Sequence, residues 1–129
     1  MNTFDASAWI GRWPFSFCDA HTAKSLQAHL RQHGIGAALV SPLDAVFAPE
    51  PGPANRDLLR QTRGLKGLEP VPVINPALAN WWEEVAVCGA DERVRAVRLL
   101  PNYHGYRLSL RAVDELVEEL AVRGWRLIV

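Results

Sequence analysis

Residues 4–15 read Phe4-Asp5-Ala6-Ser7-Ala8-Trp9-Ile10-Gly11-Arg12-Trp13-Pro14-Phe15, a pattern typical of a short buried strand that ends in a turn. Because side chains alternate between the two faces of a strand, Asp5, Ser7 and Trp9 are predicted to share one face. The other face then consists of four apolar side chains, Phe4, Ala6, Ala8 and Ile10. The first face carries a carboxylate, a hydroxyl and an indole just before the turn, which suits the floor of a binding site.

The rest of the chain alternates predicted helices with predicted strands. Four helices are predicted, over residues 23–33, over residues 54–63, from Asn80 onward and from Ser109 onward. Asn80 is the predicted N-cap of the third helix, and Glu83 completes a capping box there. Strands are predicted over residues 37–40, 71–74, 94–100 and 125–129. Three of the helices are followed by glycines that favour a left-handed cap, namely Gly34, Gly64 and Gly124. The order βαβαβαβαβ, with strand starts roughly 30 residues apart, predicts an α/β fold with a mainly parallel sheet.

Five parallel strands fit two architectures. One is a complete, open, doubly wound sheet, which would normally finish with a covering helix. The other is a partial TIM-type (β/α)8 barrel, with about the first four βα units plus a fifth strand. The sequence ends on an apolar strand with no helix after it, which favours the partial barrel. We therefore expect residues 1–129 to be a single domain and a fragment of a larger barrel. Its unpaired strand edges predict either a homo-oligomer or a missing C-terminal half.

The composition is that of an ordinary globular domain. Hydrophobic residues make up 49% of the 129 residues and charged residues 22%, which excludes a disordered chain. The 14 basic residues balance 14 acidic ones, so neither nucleic acid nor an anionic membrane is expected as a partner. No apolar run is long enough to span a bilayer, and Met1–Asp5 does not begin a signal peptide. Cys18 and Cys88 stand far apart, so both are expected to be reduced, and the predicted location is cytoplasmic.

Polar side chains follow four of the predicted strands, at the edge where a parallel sheet binds its ligands. They are Asp5, Ser7, Trp9 and Arg12 at the first strand, Ser41 and Asp44 at the second, Asn75 at the third, and Arg98, Asn102, Tyr103 and His104 at the fourth. Arg98, Asn102 and His104 have the same parity, so a strand that stayed regular past Pro101 would place them on one face. His104 is the best candidate for general acid–base catalysis, and a structural hydrogen bond from its ring is the alternative.

No motif in the sequence indicates a cofactor. A metal needs three or four converging ligands. His29 and His33 have the spacing of helical metal ligands, but Leu30-Arg31-Gln32 between them lacks the Glu of a zinc protease. The preferred interpretation is a solvated helix face, with His33 near the helix C-terminus, where a partial positive charge is favoured. No GxGxxG, P-loop or nucleophile elbow is present. Asn55 could orient a ligand, although asparagine at a helix start is ordinary structure.

Two stretches, residues 4–15 and Val97-Arg98-Leu99-Leu100-Pro101-Asn102-Tyr103-His104-Gly105-Tyr106, resemble the amidohydrolase-related family of metal-dependent hydrolases and decarboxylases built on a (β/α)8 barrel. The first strand of that family reads Asp-x-His-x-His-x-Gly, and its two histidines hold a catalytic metal. This chain keeps Asp5 and Gly11 but has Ser7 and Trp9 in place of the histidines. The family's further ligands would lie beyond Val129, so no metal site of the family type is expected within these residues.

The resemblance implies a hydrolase or decarboxylase that acts on a small carboxylate-type substrate. In the full protein Arg98 would hold an anionic group of the substrate, Asn75 and Asn102 would orient it, and His104 would move a proton. Ser7, Trp9, Arg12 and Tyr103 complete the expected substrate-binding set. The alternative is a non-catalytic relative that serves as a small-molecule-binding or assembly module, and this chain by itself is expected to be inactive.

Overall fold

The structure of the chain, a computed structural model, describes residues 3–129; Met1 and Asn2, which the predicted domain includes, lie outside the described residues. The strands are β1 (Thr3–Ile10), β2 (Ile35–Pro42), β3 (Leu68–Pro70), β4 (Ala96–Arg98) and β5 (Arg126–Ile128). The helices are α1 (Ala23–Gln32), α2 (Gly52–Thr62), α3 (Trp81–Gly89), the single turn α4 (Pro101–His104) and α5 (Arg111–Arg123), with a 3₁₀ turn at Leu43–Ala45. Within residues 3–129, no helix is long and apolar enough to cross a membrane.

The strands follow one another in chain order and are parallel throughout. β1 pairs with β2, β2 with β3, and β4 with β5. Residues 71–74 join the two groups, because Val71 N–H donates to the Val40 carbonyl at 2.7 Å and Arg98 N–H donates to the Pro72 carbonyl at 2.8 Å. A doubly wound sheet would reverse its strand order, whereas a barrel adds each strand beside the last. The fold is therefore α/β, an arc of a TIM-type barrel, as predicted.

The helices cover the outer face of this arc. Four outward side chains are buried against helical residues such as Leu26, Leu58, Val85 and Leu116. They are Ala38 and Val40 of β2, Val97 of β4, and Leu99 directly after β4. The inward residues Leu39, Val71 and Ala96 form a separate small cluster with Ile128. Arg98 has the same parity as Ala96, so it also points to the concave side.

The helix predictions are mostly confirmed. Thr22 and Ser25 form a capping box at the start of α1, and Gly34 and Gly124 take left-handed φ angles of 73° and 68° where two helices end. The predicted capping box at Asn80 and Glu83 is wrong, since the Asn80 side chain makes no capping hydrogen bond. The predicted cap at Ser109 is also wrong, because α5 begins one residue later, after Leu110.

The third strand lies before its predicted range of residues 71–74, which is therefore wrong, and the fourth strand is shorter than predicted. Prolines explain both differences. Pro70 and Pro72 have no N–H to donate to a neighbouring strand, so β3 ends at Pro70 and residues 71–74 contribute one isolated bridge, from Val73 to Arg98. Pro101 starts α4 at its first position instead of continuing β4. The predicted common face of Arg98, Asn102 and His104 is therefore wrong, since the last two lie on a helical turn.

A β-bulge in β1 changes which face of the sheet its side chains point to. Asp5 pairs with Ala38 but Ala8 pairs with Val40, so three residues of β1 span two of β2. The Asp5 carboxylate accepts a 2.9 Å hydrogen bond from the backbone N–H of Ser7 within this bulge. The Asp5 side chain consequently points to the same outer face as Ala8. Trp9 pairs with Ser41, and its side chain points to the concave side. The prediction that Asp5, Ser7 and Trp9 share a face is wrong.

Candidate functional site

Arg98 is the central residue of the concave side, at the C-terminal end of β4. Its side chain is 6% exposed. Its Nε donates a 2.9 Å hydrogen bond to the hydroxyl of Ser41, which is fully buried at the end of β2. The guanidinium carbon lies 4.5 Å from the centroid of the Trp9 ring, on β1. Three strands thus bring an indole, a hydroxyl and a guanidinium together at the edge where parallel barrels bind ligands.

This guanidinium is a buried cation that forms no ion pair within residues 3–129. Its Nη2 is buried and has no hydrogen-bond partner within residues 3–129. In the same part of the chain, no Asp or Glu forms an ion pair with it. Burial lowers the pKa of Arg98 from its ordinary value, because desolvation disfavours the charged form. Arginine nevertheless remains protonated at neutral pH, so the site holds a positive charge and an unused donor.

Such an arrangement is chemically suited to an oxyanion. Burying an unpaired charge is costly unless a counter-ion and hydrogen bonds compensate it. A guanidinium presents planar N–H donors that match a carboxylate or a phosphate. Ser41 fixes the Nε side and Trp9 covers one face of the group, so Nη2, which has no partner within residues 3–129, is a donor that remains for a ligand.

His104 is engaged in a hydrogen bond across the mouth of the arc. Its Nε2 lies 2.8 Å from the carbonyl oxygen of Ala45, in the 3₁₀ turn after β2. Because a carbonyl can only accept, Nε2 carries the proton and donates it. The other ring nitrogen, Nδ1, is buried and has no partner among the described residues. The ring therefore joins α4 to the 3₁₀ turn, and its proposed proton transfer stays a prediction.

The remaining predicted residues make no hydrogen bond to Arg98 within residues 3–129. The buried Asn75 donates from Nδ2 to the Pro49 carbonyl at 2.9 Å and accepts from the Ala77 N–H at 3.1 Å, so it holds two loops together. Four others are exposed, namely Ser7, Arg12, Asn102 and Tyr103. Within residues 3–129 no hydrogen bond connects any of these five to Arg98, and their substrate-binding roles stay predictions.

An aromatic cluster forms the rim above these strand ends. Trp13 lies 5.6 Å from Phe15 and 5.4 Å from Phe47, and Phe47 lies 5.6 Å from Tyr103, measured between ring centroids. Trp13 and Phe15 also line a cavity of about 450 Å³ with Arg12, Cys18 and His21. Among the residues of this cluster, only Tyr103 was predicted from the sequence as a site residue, and Phe15 and Phe47 were missed. Their signal was an aromatic side chain in a loop that directly follows a strand.

The residues that the resemblance aligns with the two histidines of the family are chemically unsuited to hold a metal ion. Ser7, at the first histidine position, is exposed on the bulge. Trp9, at the second, lies beneath the Arg98 guanidinium, so a divalent cation there would meet a positive charge. Across residues 3–129, no three His, Cys, Asp or Glu side chains come close enough to hold an ion together.

The chain resembles a solved structure in its fold, and no family is shown for its sequence. No protein-family model and no curated protein matches the sequence. The fold is similar to the crystal structure of a probable 2-pyrone-4,6-dicarboxylic acid hydrolase from Acinetobacter baumannii with citric acid bound, with a TM-score of 0.67 and 16% sequence identity. The alignment covers 98% of this chain and 48% of that chain, so this chain spans about half the length of its structural neighbour. The likeness shows that both chains contain the same arc of a parallel α/β barrel.

Proposed function

We propose that this chain belongs to an amidohydrolase-related hydrolase and that its concave site binds a small carboxylate through Arg98. The observation that carries the proposal is the buried guanidinium with a free Nη2 and no acidic partner within residues 3–129. A substrate carboxylate would supply the missing counter-charge and accept the unused hydrogen bond. Decarboxylation is the other reaction that the resemblance implies.

The location of Arg98 supports a ligand site over a purely structural role. It lies at the C-terminal end of a barrel strand, where the loops of such barrels form their active sites. The structural neighbour is named for a dicarboxylic acid and holds citric acid, a tricarboxylic acid. Citric acid is a ligand of that protein, and a polycarboxylate is therefore the first ligand to test on this chain.

In the proposed site each residue has a separate task. Arg98 holds the carboxylate, while Ser41 and Trp9 keep the guanidinium in place. His104 is the candidate for proton transfer, because its Nε2 carries a proton and its Nδ1 has a free lone pair. In this structure Nε2 donates that proton in a hydrogen bond to the Ala45 carbonyl. Transfer of the proton to a substrate therefore requires α4 to move away from the 3₁₀ turn.

A non-catalytic binding module is the second candidate. Two observations favour it: the strand-one histidines of the resembled family are replaced by Ser7 and Trp9, and the His104 ring already forms a structural hydrogen bond. In that case Arg98 would still bind a carboxylate, but no bond of the ligand would be broken.

A hydrolysis screen with matched variants separates these candidates. Lactones and esters that carry carboxylates, including 2-pyrone-4,6-dicarboxylate, would be incubated with the purified chain and with the Arg98→Met, His104→Ala and Arg95→Met variants. Arg95 is exposed just before β4 and serves as the control for loss of a positive charge. Turnover that both Arg98→Met and His104→Ala abolish, but Arg95→Met retains, supports the hydrolase. Carboxylate binding without turnover supports the module, and the absence of both contradicts the proposal.

A further inference from the structure

Two imidazoles stand one helical turn apart at the C-terminal end of α1. His29 lies in its last turn and His33 is the residue that caps it. Their ring centroids are 4.5 Å apart and the ring planes are inclined by 43°. Both residues are exposed, on a helix that packs against the outer face of the sheet. The pair is therefore separate from the Arg98 site on the concave side.

His33 is already held as a metal ligand would be. Its Nδ1 lies 2.9 Å from the His29 carbonyl oxygen, and because a carbonyl only accepts, Nδ1 carries the proton. The lone pair of the ring is consequently on Nε2. Metal-ligating histidines almost always donate their other ring N–H to a carbonyl, a carboxylate or water, which fixes the tautomer and the ring orientation. Here the helix backbone supplies that carbonyl.

The spacing of the rings suits one shared ion. Zinc and similar metals bind imidazole nitrogen at about 2 Å, so two rings on neighbouring coordination positions have centroids roughly 4.5–5.5 Å apart, with the smaller value for the 90° angles of octahedral or square-planar ions. The observed separation is 4.5 Å. Residues one turn apart on a helix face each other, whereas Arg31, two positions from each histidine, points elsewhere. The partial negative charge at a helix C-terminus also favours a cation.

We propose that His29 and His33 form a surface site for a divalent transition-metal ion of the Ni²⁺, Cu²⁺ or Zn²⁺ class, whose other coordination positions are filled by water. Imidazole suits these ions better than it suits Mg²⁺ or Ca²⁺. No third His, Cys, Asp or Glu joins the pair within residues 3–129, so the site is an open, two-ligand chelate. It is independent of the chemistry proposed for Arg98.

Titration of the untagged chain with Ni²⁺ by isothermal calorimetry tests the site. A Cys18→Ser background removes the exposed thiol as a competing ligand. We expect one Ni²⁺ per chain, and an affinity that falls at least about tenfold in either His29→Gln or His33→Gln. His21→Gln is the control and should leave the titration unchanged.

A second variant tests the spacing instead of the histidine count. The double variant Arg31→His/His33→Gln keeps two imidazoles but places them two residues apart, on different sides of the helix. We expect it to bind Ni²⁺ as weakly as His33→Gln. Affinity equal to the parent in this double variant, or in either single glutamine variant, would overturn the proposal. Circular dichroism of each variant confirms that α1 remains folded.

Discussion

The guanidinium carbon of Arg98 lies 4.5 Å from the centroid of the Trp9 ring, so a cation–π contact joins the first and fourth strands of the arc. Such contacts contribute about 0.5–2 kcal/mol, more when they are desolvated as this one is. A double-mutant cycle of Trp9→Leu and Arg98→Met, measured by urea unfolding, should therefore give a coupling of about 1–2 kcal/mol. A cycle that pairs Trp9→Leu with Arg95→Met is the control and should be additive.

Asn55 is expected to be the most sensitive polar residue of the core. Fully buried in α2, it donates from Nδ2 to the Val73 carbonyl and accepts from the Val73 N–H, both at 2.8 Å. Asn55→Ala would leave both backbone groups buried and unpaired, at about 1–3 kcal/mol each. We expect a loss of roughly 2–6 kcal/mol in the free energy of unfolding. The exposed Asn102→Ala should change it by less than about 0.5 kcal/mol, and equal effects would contradict this role.

Gly67 is predicted to tolerate no side chain. Its φ is +90°, and a Cβ there would overlap the carbonyl oxygen of Gly36, the second residue of β2. Gly34 is the matched control, since its φ is +73° and a Cβ there meets open space. Gly34→Ala should cost only the left-handed conformation, about 1–2 kcal/mol. Gly67→Ala should lower the melting temperature clearly more, and equal shifts would show that the Gly36 contact does not matter.

Asp91 should make the free energy of unfolding depend on pH in the acidic range. A hydrogen bond from Arg93 holds the pKa of the Asp91 carboxyl below its ordinary value, against the opposing effect of burial. The unfolded chain therefore binds this proton at a higher pH than the folded chain, so the pair stabilises the fold above about pH 4 and ceases to do so as the pH falls below it. Urea unfolding between neutral pH and pH 3 should show this loss. In Asp91→Asn the dependence should be flatter, and an identical pH profile would contradict the assignment.

The features of the fold that could be predicted are those that depend on neighbours along the chain. The amphipathic stripe that buries Val113, Leu116 and Leu120, and the glycine that ends α5, are both local signals. The bulge in β1 could not be predicted, because it arises from the register with β2, and a shift of one residue exchanges the faces of a strand. Pro101 signalled that β4 would end, but not that the next residues would form a helical turn.

The site was predictable to the extent that strand ends meet in a parallel sheet. Arg98 and Trp9 were both expected there, yet their direct contact depends on the inward facing that the bulge gives to Trp9. Ser41 was a candidate by position only, and its burial and its bond to Arg98 come from packing between strands. Asn55 was considered as a ligand or helix-start residue, whereas its side chain pairs with the backbone of Val73.

The most direct test of the account is citrate binding to Arg98, measured by calorimetry on the full chain and on the Arg98→Met, Ser41→Ala and Arg95→Met variants. Removing a hydrogen bond to a charged group costs about 1.5–3 kcal/mol, which corresponds to roughly a 10- to 100-fold loss of affinity. We expect saturable citrate binding that falls by this factor in Arg98→Met, falls less in Ser41→Ala, and is unchanged in Arg95→Met. No saturable binding to the full chain, or equal affinity in Arg98→Met and Arg95→Met, would contradict the claim that the buried guanidinium binds a carboxylate.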